Sequence, residues 1–190
     1  MPTSRRSLRR SRTALLLVDF INPLDFPGAE KLRAGALRAA ARARLLKRKA
    51  RATRVPCIYV NDHFGDWTRP FAEQVSGVIR SGGPGARIAE LLAPEKGDIA
   101  ILKPRHSGFY GTPLEFLLDE LGTSRLIVTG LATDNCVFAT AQDAHVRKYK
   151  VWIPADCVAA EDGTGERTVL RHMARTLKAE TKRYAGRLWP

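Results

Sequence analysis

The chain of 190 residues has only three cysteines, Cys57, Cys136 and Cys157, an odd number set far apart. It has no C-x-x-C pair and no Cys/His cluster at metal-ligand spacing. That argues against a disulfide framework or a zinc module and predicts reduced thiols in a cytoplasm-like compartment. Long hydrophobic runs are missing too: nothing approaches the ~18 consecutive apolar residues of a membrane span. The first apolar run, Ala14 to Val18, meets Asp19. It is shorter than the about 7–15 apolar residues of a secretory signal, so no signal peptide is expected. Acid is scarce, with 19 Asp and Glu against 32 Lys and Arg and a formal net charge of +13. Such a balance favours anionic partners in general. Aromatics are few, at 7%, and no aromatic-and-basic groove or helix-turn-helix pattern stands out. Specific nucleic-acid binding is therefore not expected, and neither is a membrane partner.

What is present reads as one folded domain. The 44% hydrophobic and 27% charged composition suits a globular protein. A length of 190 residues allows a sizeable core without disulfides or metals. Residues 1–12 read as a mostly solvated basic arm and 13–190 as a single domain. Short apolar runs predict strands at Thr13–Val18, Pro56–Val60, Ile99–Leu102, Arg125–Thr129 and Tyr149–Ile153. Helical patterns cover Glu30–Ala52, Arg87–Leu92, Thr112–Leu121, a stretch capped by Thr133 or Asp134 and reaching about Lys148, and Gly165–Lys178. NDHFGDWTRPF reads as a loop and GGPG, Gly82–Gly85, as a turn. Strands alternating with amphipathic helices predict a parallel sheet covered on both faces, with right-handed crossovers. Ligands of such sheets bind beyond the carboxyl ends of the strands. Asp19, Lys103 and the loop before Cys136 all fall there.

Cys136 follows a strand and Gly130 and opens a helical stretch, GLATDNCVFA. The orphan N–H groups and dipole of a helix start lower a thiol's pKa, to about 3.5–7.5 when a cation helps. The same groups can cradle an oxyanion. A small buried hydrophobe fits the position equally well. Asp19 and Lys103 each close a buried strand, where charge is expensive unless paired. Singly each reads as a surface charge. Together with Cys136 they make a base, a cation and a nucleophile. Of the histidines, His145 and His172 fall in helix patterns. His106, in KPRHSGFYGT, is placed to touch a ligand. His63, with Asp62 and Asp66 near, is the one histidine that suggests a metal, although acids in a loop are more often solvated.

ALLLVDFINP, LKPRHSGFYGTPLEFLL and LIVTGLATDNCVFATAQDAHVRKYKVWIPADCVAA together resemble the isochorismatase-like cysteine hydrolase superfamily, with nicotinamidases and N-carbamoylsarcosine amidase among its members. The resemblance runs from about Thr13 to Ala174. It implies a three-layer α/β/α, Rossmann-like fold with a parallel sheet of about six strands. It also implies Asp19, Lys103 and Cys136 as catalytic residues, and a cis peptide between Leu131 and Ala132 that aims the Ala132 and Cys136 amides at the substrate oxygen. The implied activity is hydrolysis of an amide or carbamoyl group through an acyl-enzyme on Cys136. Homodimers or homotetramers are common in the family, so one or the other is expected. Nicotinamidases carry an Asp-x-His metal motif; here Asn61-Asp62-His63 stands in its place, so no metal and no cofactor are expected. Isochorismatases proper act on a vinyl ether and lack the cysteine, which makes that activity an alternative that Cys136 disfavours.

Phe20, Trp67, Phe109 and Tyr110 are candidates to line a small pocket for a flat ligand, with Asn22 and Phe138 behind them. Core packing fits Phe20 and Phe109 as well or better. Two other readings compete with an amide hydrolase. One is a redox- or electrophile-sensing thiol protein with Cys57 or Cys157 as a resolving partner. The other is a basic binding protein on a retained hydrolase fold.

Overall fold

The computed structural model describes residues 8–190. β1 (Thr13–Val18) is followed by α1 (Ala29–Ala52), β2 (Cys57–Asp62), α2 (Phe71–Arg80), α3 (Ala86–Leu91) and β3 (Ile99–Lys103). Then come α4 (Leu114–Leu121), β4 (Arg125–Leu131), a π-helical turn (Thr133–Val137), α5 (Phe138–Val146), β5 (Lys150–Trp152), β6 (Val158–Ala159) and α6 (Gly163–Thr176). The strands form one six-stranded sheet in the order β3-β2-β1-β4-β5, with β6 beside the far end of β4. Every pairing is parallel.

Alternation along β1 builds the layers. Leu15 and Leu17 face one buried cluster with Tyr59, Ile127 and the alanine face of α1. Ala14, Leu16 and Val18 face the other, with Ile58, Val60, Val128 and residues of α4, α5 and α6. A central strand buried on both sides reads as an unbroken apolar run for this reason. Ala36, Ala39, Ala40 and Ala43 are buried along α1, and small side chains let the helix lie close to the sheet. Lys47 is the exception on that face. It is buried and reaches Asp98 at 2.8 Å, Glu95 at 3.2 Å and the Ala93 carbonyl at 2.9 Å. A buried ammonium needs such partners, and they clip α1 to the segment that enters β3.

Several elements differ from the sequence expectation. α2 lies where the sequence predicts no helix; Val75, Val78 and Gly77 lower its intrinsic propensity, and burial of Gln74, Val75 and Val78 against the fold compensates. β6 is too short to show a period. The helix expected from Thr133 or Asp134 is instead a π-helical turn leading into α5, with Ala132 rather than a hydroxyl or carboxylate side chain at the cap. Residues 1–7 of the expected basic arm lie outside the described residues. Ser11 and Arg12, expected to be solvated, are bonded to the α4–β4 connection: Ser11 N–H donates to Leu121 O at 2.7 Å, and Ser124 and Arg125 N–H both donate to Arg12 O at 3.0 Å. No helix among the described residues is long and apolar enough to cross a membrane.

Candidate active site

Sheet register assembles the site. Val18, the last residue of β1, pairs with Val60 on one side and Gly130 on the other. Asp62 pairs with Lys103 across β2 and β3. Asp19, Asp62, Lys103 and the turn after β4 therefore meet at one edge of the sheet. Gly130 has φ +138, and an added Cβ would overlap the Val18 carbonyl oxygen, so only glycine lets β4 run this close to the end of β1. Asp19 has φ +48, a left-handed conformation that aspartate tolerates better than most residues.

Lys103 Nζ, completely buried, lies 2.8 Å from Asp19 Oδ2, 3.5 Å from Cys136 Sγ and 3.6 Å from Asp62 Oδ2. The Asp62 N–H donates to Asp19 Oδ1 at 2.7 Å. The structure thus brings together Asp19, Lys103 and Cys136, the set picked out in the sequence, and adds a second carboxylate, Asp62. His106 Nδ1 is 3.8 Å from Cys136 Sγ. Its loop is held to α5 by Ser107 Oγ, which donates to Asp143 Oδ2, and by the Gly108 N–H, which donates to Thr140 Oγ1 at 3.0 Å. The Leu131–Ala132 peptide is cis. The Ala132 carbonyl accepts from the Asn135 and Val137 N–H groups at 3.1 and 3.2 Å, which closes the π-helical turn around Cys136.

The thiol departs from expectation. A helix start beside a cation predicts a depressed pKa, yet the Cys136 thiol is pushed up to about 12. Burial is the first cause and the Asp19 carboxylate the second; together they outweigh Lys103. Burial also raises Asp19 above its usual range, against the pull of Lys103 and of the Asp62 N–H. Burial alone favours neutral Lys103, but Asp19, Cys136 and Asp62 outweigh it and keep the ammonium. Cys136 therefore rests as a protonated thiol beside a carboxylate of raised basicity.

A cavity of about 240 Å³ is lined by Cys136, with Asp19, Ala132 and His106 also on its wall. The aromatic candidates do not line it. Phe20 is fully buried in the α1-side cluster. Phe109 is buried on the other side, 6.0 Å from the Tyr149 ring and under Arg147. Trp67 is exposed, 4.2 Å from the His63 ring, and Tyr110 is exposed as well. Phe138 packs against the α5-side cluster. The rings on the cavity wall are Phe26 and Phe64, joined by Asn22, Asn135 and Glu161. Phe26 and Phe64 follow β1 and β2 in the loops where such contacts belong. Glu161 follows β6, a strand with no sequence signal.

Most donors near His63 are committed to backbone hydrogen bonds, though His63 Nε2 is buried without a partner among the described residues. Asn61 Oδ1 accepts from the Ile21 N–H and its Nδ2 donates to Ile21 O. Asp62 Oδ1 accepts from Phe64 N–H, and His63 Nδ1 from Gly65 N–H. Asn61 ties two loops together and its oxygen is committed. Among the described residues, no group of three or more His, Cys, Asp or Glu could hold a metal ion.

A three-layer α/β/α sheet with a thiol, a lysine and two carboxylates at its carboxyl edge defines the class as Rossmann-like α/β. The isochorismatase domain model matches residues 13–182, and the chain belongs to that family. It is 36% identical over 175 residues to the uncharacterised isochorismatase family protein YaaI of Bacillus subtilis (strain 168), covering 91% of this chain and 94% of that one. The solved N-carbamoylsarcosine amidase of Thermoplasma acidophilum superposes with a TM-score of 0.68 at 28% identity, over 91% of this chain and 96% of that one. The ureidoacrylate amidohydrolase RutB of Methylorubrum extorquens is 45% identical over 69 residues, which is 36% of this chain and 28% of that protein's length.

Proposed function

We propose that the protein is an amidohydrolase that cleaves a C–N bond of a small amide or carbamoyl compound through a covalent acyl-enzyme on Cys136. The observation that carries this reading is Lys103 Nζ within 2.8 Å of Asp19 and 3.5 Å of Cys136 at a cavity of substrate size. Similarity to an N-carbamoylsarcosine amidase and a ureidoacrylate amidohydrolase supports it.

In this mechanism Asp19 accepts the thiol proton as Cys136 Sγ attacks the carbonyl carbon. The high thiol pKa makes transfer concerted with attack rather than complete beforehand. Lys103 stays an ammonium, orients Asp19 and stabilises the negative charge arriving on sulfur. The Ala132 and Cys136 N–H groups hold the tetrahedral oxyanion. Protonated Asp19 donates to the leaving nitrogen, the C–N bond breaks and the amine departs. Water then attacks the thioester with Asp19 as base, releasing the acid and restoring the thiol.

A thiol sensor draws no support from the site. Such a cysteine is exposed and of low pKa, whereas Cys136 is pushed up to about 12 and both Cys57 and Cys157 are buried. The vinyl ether alternative leaves Cys136 without a role.

Ammonia release from a panel of small amides, ureides and carbamoyl compounds tests the proposal. Cys136→Ala and Asp19→Asn are expected to lose about 10³-fold or more on any substrate found, the scale of removing a nucleophile or its base. Full activity in Cys136→Ala would overturn the mechanism.

A further inference from the structure

The charge on the cavity wall runs against that of the whole protein. Lys and Arg outnumber Asp and Glu by 32 to 19 in the chain, yet among the described residues no lysine or arginine lines the cavity at Cys136, while three carboxylates do. Two of them, Asp19 and Asp62, share the single buried ammonium of Lys103. The third, Glu161, is exposed and has no hydrogen-bond or ion-pair partner among the described residues. Its carboxylate lies against Gly28 at the start of α1, where an added Cβ would come within 3.1 Å of Oε2. The glycine leaves it that space. The same cavity presents the partly exposed rings of Phe26 and Phe64. A surplus carboxylate with aromatic faces beside it suits an organic cation, which gains from both the ion pair and the ring quadrupoles. An anionic substrate would meet Glu161 and Asp62 with His106 as the one basic side chain on the wall among the described residues, and no lysine or arginine there to offset them.

We propose that the cavity selects small amides or carbamoyl compounds bearing a cationic group, with Glu161 as the counter-ion and Phe26 and Phe64 as the apolar walls. Glu161 is then a specificity-determining residue, and the inference rests on the amidohydrolase reading above. The cationic group sits away from the scissile carbonyl and takes no part in the chemistry. The basic exterior does not oppose this choice, because charges beyond about 8–10 Å are largely screened at physiological salt.

The test compares amides matched in shape and different in charge. Trimethylammonioacetamide and its homologues with two and three methylenes are the cations. 3,3-Dimethylbutanamide and its homologues are the neutral isosteres, and malonamate is the anion. Binding to Cys136→Ala is measured by calorimetry and ammonia release by the wild type. For at least one chain length the cation is expected to bind, and to show a kcat/KM, about tenfold or more above its neutral isostere. The ratio is expected to fall toward one in Glu161→Gln and with added salt, while malonamate stays the weakest ligand. A thermal melt of Glu161→Gln verifies that it is folded. Equal or better binding of the neutral or anionic compounds, a ratio unchanged in Glu161→Gln, or no binding at all would overturn the inference. Turnover of neutral amides without a cation preference would overturn it and leave the amidohydrolase reading standing. A Glu161-dependent binding preference without any ammonia release would do the reverse.

Discussion

Cys136 shows how burial can reverse a local electrostatic argument. Its neighbours include an ammonium at 3.5 Å, yet desolvation and the Asp19 carboxylate hold the proton on sulfur. With the thiol up to about 12, thiolate at pH 7 is on the order of 10⁻⁵ of the total. Iodoacetamide should therefore label Cys136 slowly at neutral pH in the free protein, with a rate rising about tenfold per pH unit. Mass spectrometry of the labelled chain reads this directly, with Cys136→Ala as the blank. Fast labelling that stays flat from pH 6 to 8 would mean a depressed thiol, and the concerted proton transfer to Asp19 would have to be abandoned. Asn61 teaches the complementary lesson. It looks like a substituted metal ligand in the sequence, and in the fold its amide bonds both backbone groups of Ile21.

At the scale of elements, α1 and β1 carry the architecture. α1 lays alanines on the sheet, and Ala40 is completely buried in that contact. Ala40→Leu is expected to overpack it and cost about 1–3 kcal/mol, seen as a lower urea midpoint with the slope unchanged. No loss would show that α1 sits less tightly than its buried alanines indicate. β1 does more for the site. Its last residue, Val18, pairs with both Val60 and Gly130, so Asp19 is held between the end of β2, which carries Asp62, and the turn that carries Cys136. The π-helical turn is a further positioning element. Its wider ring takes Cys136 out of the regular spacing that a helix continuing from Thr133 would impose.

For the whole molecule, the three cysteines link stability to alkaline pH. Cys57 and Cys136 are pushed up to about 12, and Cys157 is raised as well, each chiefly by burial. Unfolded thiols titrate near 9.0. Above that pH the unfolded chain gives up protons that the folded chain retains, so the folded state binds more protons and stability falls as pH rises. For Cys57 and Cys136 the window runs from about 9 to about 12. The loss is at most about 1.4 kcal/mol per thiol for each pH unit. Urea midpoints at pH 8 and pH 10.5 should drop accordingly, and the drop should be smaller in Cys57→Ala/Cys157→Ala than in the wild type. Equal drops in the two proteins would remove the thiols as the cause.

By itself the sequence determined the fold class and placed candidate site residues at the strand ends. Unbroken apolar runs such as TALLLV identify buried parallel strands, because both faces of such a strand are covered. Charged residues closing those runs mark the edge where a site forms. Asp19, Lys103 and Cys136 stand out in the sequence only as a set, since singly each reads as a surface charge or a packed thiol; the three strand ends and the motif resemblance single them out together. Tertiary structure alone decided which loops face the cavity and how burial sets the proton on sulfur. Phe26 and Phe64 line it while Phe20 and Phe109 enter the core, a choice made by loop paths that carry no period. Glu161 and Asp62 join the site through β6 and the β2–β3 register. A residue's solvation depends on everything packed around it, and no spacing along the chain encodes that.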